Sequence, residues 1–314
     1  MIAVGDELKG RHYVRVNDWS KDELRQALDL ADELKEAQRQ REDHRLLPGR
    51  SLAMIFHKPS ARTRISFEVG MTQLGGHALD LRRDDIGLGE RETIRDTATV
   101  LSRYVDAIMI RTFAQADVDE LAEHASVPVL NGLTDATHPC QALADLMTIR
   151  ERFGTLSGVR LAYVGDGNNV CRSLMRGASK FGMRFSAATP AGREPATEAV
   201  EDTRRVAIQQ GGTVELTNDP REAVAGAQVI YTDTWASMGQ EAERDARRAE
   251  FAGFTVDEQL VALAADDAIV MHCLPAHYGE EITEDVLYGP SSAAWDQAEN
   301  RMHAQKALLA LVVR

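Results

Sequence analysis

Residues 51–68 read SLAMIFHKPSARTRISFE. The run SLAMIF (51–56) is apolar without alternation, as a strand buried on both faces requires. HKPS then breaks it, and Ile65, Phe67, Met71 and Leu74 continue apolar beyond SARTR, as one helix face would. A buried strand, a polar turn and a helix in that order form half of a parallel βαβ unit. The same sentence repeats along the chain: HALDL (77–81), VDAIMI (105–110) and VPVLN (127–131) read as further buried strands. After Gly154 the series restarts with VRLAYVGD (159–166), RFSAA (184–188), TVEL (213–216), QVIYT (228–232) and AIVMHC (268–273). Two strand–helix series predict an α/β protein of two doubly wound parallel-sheet domains. The expected division is 1–150, completed by a C-terminal helix over 297–314 that packs back on it, and 151–296. A capping box at Ser20 and Glu23 opens an earlier helix carrying Leu24, Ala27, Leu28, Ala31 and Leu34.

The length, 314 residues, suits two domains of roughly 150 residues. Net charge is −13, which argues against nucleic acid or an anionic membrane as partner. The opening MIAVGDELKGRHYVRV has charges where a signal peptide needs an apolar run, and no segment has the ~18 uninterrupted apolar residues of a membrane span. Three widely separated cysteines, Cys140, Cys171 and Cys273, without CxxC spacing predict reduced thiols in a cytoplasmic protein and give no support for a zinc site.

Within this acidic chain, Lys58, Arg62 and Arg64 stand within seven residues, with His57 beside them. Such a cluster repels itself unless an anion lies among the cations. A helix N-terminus supplies free N–H groups and partial positive charge, Ser60 and Thr63 add hydroxyls, and arginine binds phosphate bidentately. An ordinary helix cap with exposed arginines is the plainer alternative. Ligands of doubly wound sheets bind at the carboxyl ends of the strands, and five more polar clusters stand there: Arg111, THPCQ (137–141), GDGNN (165–169), DTWASMG (233–239) and HCLPAH (272–277). His138 with Gln141 one turn on makes a convergent pair, although a histidine at a helix start is commonly a cap. GDGNNV lacks the third glycine of a dinucleotide loop, Val170 standing in its place, which weakens a nicotinamide reading. Cys273 has the pieces of a nucleophile site around it, but an inert thiol is the commoner reading.

Taken together and in order, SARTR, HPCQ, DTWASMG, HCLPAH and AENRMHAQKALL cover nearly the whole chain and resemble the ornithine carbamoyltransferases. The related aspartate carbamoyltransferases share the first two patterns but not the SMG and HCLP pair. The resemblance implies transfer of a carbamoyl group from carbamoyl phosphate to the δ-amine of L-ornithine, giving L-citrulline and phosphate, without cofactor or metal. It implies carbamoyl phosphate on the first domain, ornithine on the second, and a homotrimer. Carried over by position, Ser60, Ala61 (through its backbone), Arg62 and Thr63 cradle the phosphate. Arg111, His138 and Thr63 polarise the carbamoyl oxygen. Gln141, the backbone at Cys273 and Leu274, and Arg301 complete that half. Asn169, Asp233, Ser237 and Met238 hold ornithine, with Asp233 and Cys273 orienting its reacting amine.

The sequence departs from the family pattern twice. Ala61 replaces a usual threonine, and Gly87 stands where members carry a glutamine that reaches the neighbouring subunit's carbamoyl phosphate. Arg91, four residues on, offers a charged replacement. Sister carbamoyltransferases acting on putrescine or an N-acylated ornithine are the nearest alternative, and the intact Asp233 and SMG motif speak against them. A non-catalytic paralogue conflicts with intact Arg62, Arg111, His138 and Cys273.

Overall fold

In the computed structural model, the described residues are 2–82, 86–87, 91–236 and 244–314. The chain divides into two compact units, residues 1–147 with 300–314, and residues 148–299.

Unit 1 contains strands β1 (Ser51–Phe56), β2 (His77–Arg82), β3 (Ala107–Arg111) and β4 (Val129–Leu133). All pairs are parallel and the spatial order is β2-β1-β3-β4. Helix α1 (Lys21–Arg39) precedes the sheet, α2 (Ala61–Gln73), α3 (Ile94–Leu101) and α4 (Gln115–His124) connect its strands, and α5 (Pro139–Phe153) follows β4 and runs on past residue 147. The runs of β1, β3 and β4 are buried: Ala53, Ile55, Ile108, Ile110 and Val129 form one core with Val118 and Leu121 of α4. HALDL is not the buried strand expected, because β2 lies at the sheet edge, paired on one side only, and leaves Leu79 exposed. The predicted capping box is present, with Ser20 Oγ accepting from Glu23 N at 3.2 Å and Glu23 Oε2 accepting from Ser20 N at 2.6 Å.

Unit 2 contains β5 (Arg160–Val164), β6 (Arg184–Ala188), β7 (Thr213–Thr217), β8 (Val229–Thr232) and β9 (Ile269–His272). Their order is β7-β6-β5-β8-β9, again all parallel. Helices α6 (Asn169–Lys180), α7 (Thr197–Gln209), α8 (Pro220–Val224), α9 (Arg244–Glu250), α10 (Glu258–Val261) and α11 (Glu284–Leu287) belong to this unit. Its core includes Val164, Ile230 and Val270 of three neighbouring strands, with Trp235 stacked on Phe251 at 5.2 Å between ring centroids.

The last helix, α12 (Ala294–Val312), contributes residues from 300 onward to unit 1. There Lys35 Nζ donates to Asn300 Oδ1 at 2.6 Å, and the buried Lys306 donates to Gln38 and Gln73. The expected packing of the C-terminal helix on the first domain is therefore seen.

In each sheet the strand order reverses once, between β1 and β3 in unit 1 and between β5 and β8 in unit 2. The loops leaving neighbouring strands at such a switch point diverge to opposite faces, which opens a crevice at the carboxyl edge. Register decides which side chains arrive there. Phe56 pairs with Arg111, so the HKPS turn leaves the sheet beside Arg111. In unit 2, Val164 pairs with Thr232 and Thr232 with His272, so Gly165, Asp233 and Cys273 emerge side by side.

Candidate active-site residues

Unit 1 carries one cluster at its switch point. Ser60 caps α2, its Oγ accepting from Thr63 N at 3.2 Å and donating to Thr63 Oγ1 at 3.1 Å. The first-turn amides of Ala61 and Arg62 have no intrahelical acceptor, as helix geometry requires. His57 and Lys58 both donate their N–H to the Arg111 carbonyl, at 2.9 and 3.2 Å, which ties the turn to β3. Arg301 of α12 is buried, with its guanidinium donating to Thr63 Oγ1 at 2.9 Å and to Gln141 Oε1 at 3.1 Å. Gln141 in turn donates to Asp145 Oδ1 at 2.8 Å, which fixes its amide. Three expected residues far apart in sequence, Thr63, Gln141 and Arg301, are thus one hydrogen-bonded group.

The cations of the opening stretch do not all serve one purpose. Lys58 is buried and pairs with Asp135 at 2.9 Å while lying 4.9 Å over the Phe113 ring. Arg64 turns toward Asp80 at 3.3 Å and Glu68 at 3.6 Å. Arg62 is half-buried, and no ion pair or hydrogen bond holds its guanidinium among the described residues. A half-desolvated guanidinium without a counterion is costly unless an anion completes it. Close by, His138 is buried, and its pKa lies well below the ordinary histidine value. Burial is the largest cause, followed by the charges of Arg301, Arg111, Arg62 and Lys58. His138 is therefore neutral at physiological pH, a hydrogen-bond donor or acceptor rather than a cation. Four positive groups acting on one imidazole also mark this as the positive end of the unit.

Unit 2 carries the second cluster. Cys273 Sγ donates to Asp233 Oδ1 at 3.0 Å, and Asn168 Nδ2 donates to Asp233 Oδ2 at 2.8 Å. Asn168 also caps α6, its Oδ1 accepting from Val170 N and Cys171 N, with Tyr163 OH donating to it at 3.3 Å. Asn169 is buried, and its Oδ1 accepts from Val170 N at 3.0 Å. The contact to Asp233 thus comes from the first asparagine of the pair, which sequence reasoning passed over. Gly167 has a packing reason to be glycine: a Cβ there would lie 2.5 Å from the Arg193 carbonyl and from the Pro195 nitrogen. Leu274 is a non-glycine residue at φ +59°, with its N–H donating to His272 Nδ1 at 2.8 Å. Ser237 and Met238 lie outside the described residues.

Among the described residues, two groups offer metal-ligand atoms within 4.8 Å of one another, Asp233–His272–Cys273 and His277–Glu280–Glu281. Protein partners already take most of those atoms. His272 has both ring nitrogens engaged, by Leu274 N and Glu281, and Arg248 holds Glu280 Oε1 at 2.9 Å through Nε. The other cysteines are unlike Cys273: Cys140 and Cys171 are wholly buried, which pushes the Cys140 thiol up to about 12 and Cys171 higher than its usual value.

Residues 11–151 match the family described as aspartate/ornithine carbamoyltransferase, carbamoyl-P binding domain, and residues 157–312 match its Asp/Orn binding domain. The ornithine carbamoyltransferase of Anoxybacillus flavithermus is 56% identical over 303 residues, 96% of this chain and 96% of that protein. That of Pyrococcus horikoshii is 55% identical over 306 residues, 98% of this chain and 96% of the relative. Among solved structures, the ornithine carbamoyltransferase from Pyrococcus furiosus superposes with a TM-score of 0.95 at 54% identity, covering 99% of both chains. On matches of this extent, over both units and at more than half identity, the chain belongs to the ornithine carbamoyltransferases of the aspartate/ornithine carbamoyltransferase family.

Proposed function

We propose that the protein transfers the carbamoyl group of carbamoyl phosphate to the δ-amine of L-ornithine, giving L-citrulline and phosphate. The observation that carries this reading is Arg62: a half-buried guanidinium at a helix N-terminus, without an anionic partner among the described residues, beside a neutral His138. In this reading Ser60, the Ala61 amide, Arg62 and Thr63 receive the phosphate. Arg111, His138 and Thr63 donate to the carbamoyl oxygen, while Gln141, Arg301 and the backbone at Cys273 and Leu274 hold the carbamoyl group. Asn169, Asp233, Ser237 and Met238 take the amino-acid head of ornithine.

The neutral δ-amine attacks the carbamoyl carbon. A C–N bond forms, negative charge gathers on the carbamoyl oxygen, and the C–O bond to phosphate then breaks as the amine gives up one proton. Carbamoyl phosphate is already activated, so the protein supplies positioning and charge stabilisation. The neutrality of His138 fits donation of a hydrogen bond to the developing oxyanion. The Asp233–Cys273 pair orients the amine, with Cys273 as a polar group rather than a covalent nucleophile.

We further propose a cytoplasmic homotrimer. Support for the assembly comes from exposed apolar side chains of unit 1: Ile65 and Val69, one turn apart on α2, and Leu79 on the edge strand β2. Support for the compartment comes from three cysteines that are all free thiols. No helix among the described residues is long and apolar enough to cross a membrane.

Citrulline formation measured side by side with L-ornithine, putrescine and N-acetylornithine tests the assignment. We expect a preference for ornithine over putrescine of about a hundredfold or more, because a site with buried polar contacts rejects ligands that leave them unpaired. Comparable kcat/KM values for the two amines overturn it.

A further inference from the structure

Leu274 holds a backbone conformation, φ +59°, that side-chain-bearing residues adopt at a cost. Something must over-determine it. Its N–H donates to His272 Nδ1 at 2.8 Å, so Nδ1 is the acceptor nitrogen and the ring's hydrogen sits on Nε2. Nε2 then donates to Glu281 Oε1 at 3.1 Å. His272 and Glu281 are both fully buried, and the His277 N–H donates to the same Glu281 oxygen at 2.6 Å. Glu281 is itself anchored in the core of unit 2, its carbonyl accepting from Val256 N at 2.9 Å, with Val256 and its neighbour Ile282 wholly buried. A buried carboxylate therefore clamps both ends of the turn that carries Cys273 and Leu274. It also sets the tautomer of the one side chain that holds the Leu274 amide.

We propose that Glu281 is a positioning residue for carbamoyl transfer, acting through His272 to hold the Cys273–Leu274 peptide in its strained conformation. The proposal rests on the reading given above, in which that peptide contacts the carbamoyl group and the Cys273 thiol orients the amine. Glu281 touches neither reactant. Its effect runs along one line of hydrogen bonds, from the core carboxylate to the imidazole, to the Leu274 amide and so to the neighbouring Cys273. Relaxation of this turn moves reacting partners without removing any of them. It therefore lowers kcat and leaves phosphate binding by unit 1 as it was.

The test uses the full chain and two readouts. The first is steady-state carbamoyl transfer. The second is the alkylation rate of Cys273 by iodoacetamide, followed by peptide mass, for which the buried Cys140 and Cys171 serve as unreactive references. For Glu281→Ala we expect kcat to fall about tenfold to a hundredfold, the cost of a small misplacement of reacting groups. The KM for carbamoyl phosphate should stay within about threefold, and the Cys273 alkylation rate should shift by about threefold or more. Glu281→Gln, whose amide oxygen still accepts from His272, should stay near wild type in all three. Should Glu281→Ala not fold, His272→Asn carries the same test, since its amide oxygen reaches the Leu274 amide but its nitrogen stops short of Glu281. The same loss is expected there. Wild-type kcat and alkylation in whichever of these variants folds overturn the relay, as does a Glu281→Gln enzyme as damaged as Glu281→Ala. Absence of citrulline formation by the wild type overturns the assigned reaction instead, and the alkylation arm still decides whether Glu281 governs the turn.

Discussion

Cys273 donates its thiol hydrogen to Asp233 Oδ1 at 3.0 Å across the tips of two neighbouring strands. The other Asp233 oxygen accepts from Asn168 at 2.8 Å, so the carboxylate is held from both sides before any amine arrives. Cys273→Ala leaves one buried oxygen short of a donor, a loss of about 1–3 kcal/mol. The expected result is a drop in kcat/KM for ornithine of about fivefold to a hundredfold with carbamoyl phosphate binding unchanged. Asn168→Ala should act in the same direction. A variant of either residue with wild-type ornithine kinetics would show that the Asp233 carboxylate needs no such holding.

Arg62 has a kinetic prediction and a stability prediction of opposite character. Arg62→Ala should remove about 3–4 kcal/mol of transition-state stabilisation, the size of a lost charge-stabilising donor. Because the guanidinium has no anionic partner among the described residues, the unliganded variant should melt no lower than wild type. Thermal shift with and without inorganic phosphate, beside kinetics, separates the two. Near wild-type kinetics would reduce the SARTR turn to a helix cap.

The rate should rise with pH where the amine, not the enzyme, titrates. A lysine-like amine of pKa ~10.4 is neutral in only about one molecule in 2,500 at pH 7. His138 is already neutral, held so by burial and by the surrounding arginines, and contributes no limb above pH 7. kcat/KM for ornithine should therefore climb steadily from pH 7 to 9. A flat profile with chemistry limiting excludes attack by the free amine.

Stability should fall in mild acid. Burial lowers the pKa of His12, His138 and His303, the last to about 3. As pH falls through about 6.5 the unfolded chain takes up these protons and the folded chain does not, so stability is lost below that point. Each fully buried histidine contributes at most ~1.4 kcal/mol per pH unit, and the partly solvated His12 less. The urea midpoint at pH 5.5 should lie clearly below that at pH 7.5, and equal midpoints contradict the assignment.

Gly87 sits at φ +55°, and its carbonyl accepts from Arg91 N at 2.8 Å. A Cβ on Gly87 would come within 2.8 Å of Arg91 Cγ, so the glycine makes room for that arginine. Gly87→Gln should then fail to tighten carbamoyl phosphate and should cost about 1–2 kcal/mol of stability, the penalty of left-handed backbone for a residue with a Cβ. Arg91→Ala should raise the KM for carbamoyl phosphate several-fold. Unchanged KM in both variants would mean that this loop does not touch a neighbour's substrate.

The strands were legible in the sequence wherever apolar runs were unbroken. SLAMIF and RFSAA coincide with β1 and β6 residue for residue. The reading slipped by two residues at β3, because Val105 belongs to the turn before it. There Asp106 caps the neighbouring strand by accepting from Ser51 N at 2.8 Å. It slipped equally at β4, which runs on through Asn131 and Gly132. Asn131 is tolerated in the core because its amide donates to the Val14 carbonyl at 3.0 Å. What local pattern could not yield were partners set by sheet order. Lys58 finds Asp135 77 positions away, and Asn168 finds Asp233 only because β5 and β8 are neighbours. The single local clue to Asn168 was its place as an N-cap.

The division of the chain has a consequence for the order in which the two units are made. Unit 2 is one continuous stretch, 148–299, whereas unit 1 needs residues 300–314 as well as 1–147. On a ribosome adding about 5–20 residues per second, roughly 8–30 s separate the first sheet from the helix that completes it. Through that interval Lys35 lacks Asn300, and Thr63 and Gln141 lack Arg301. The second unit can close first, and the phosphate-facing half of the nascent enzyme waits for it.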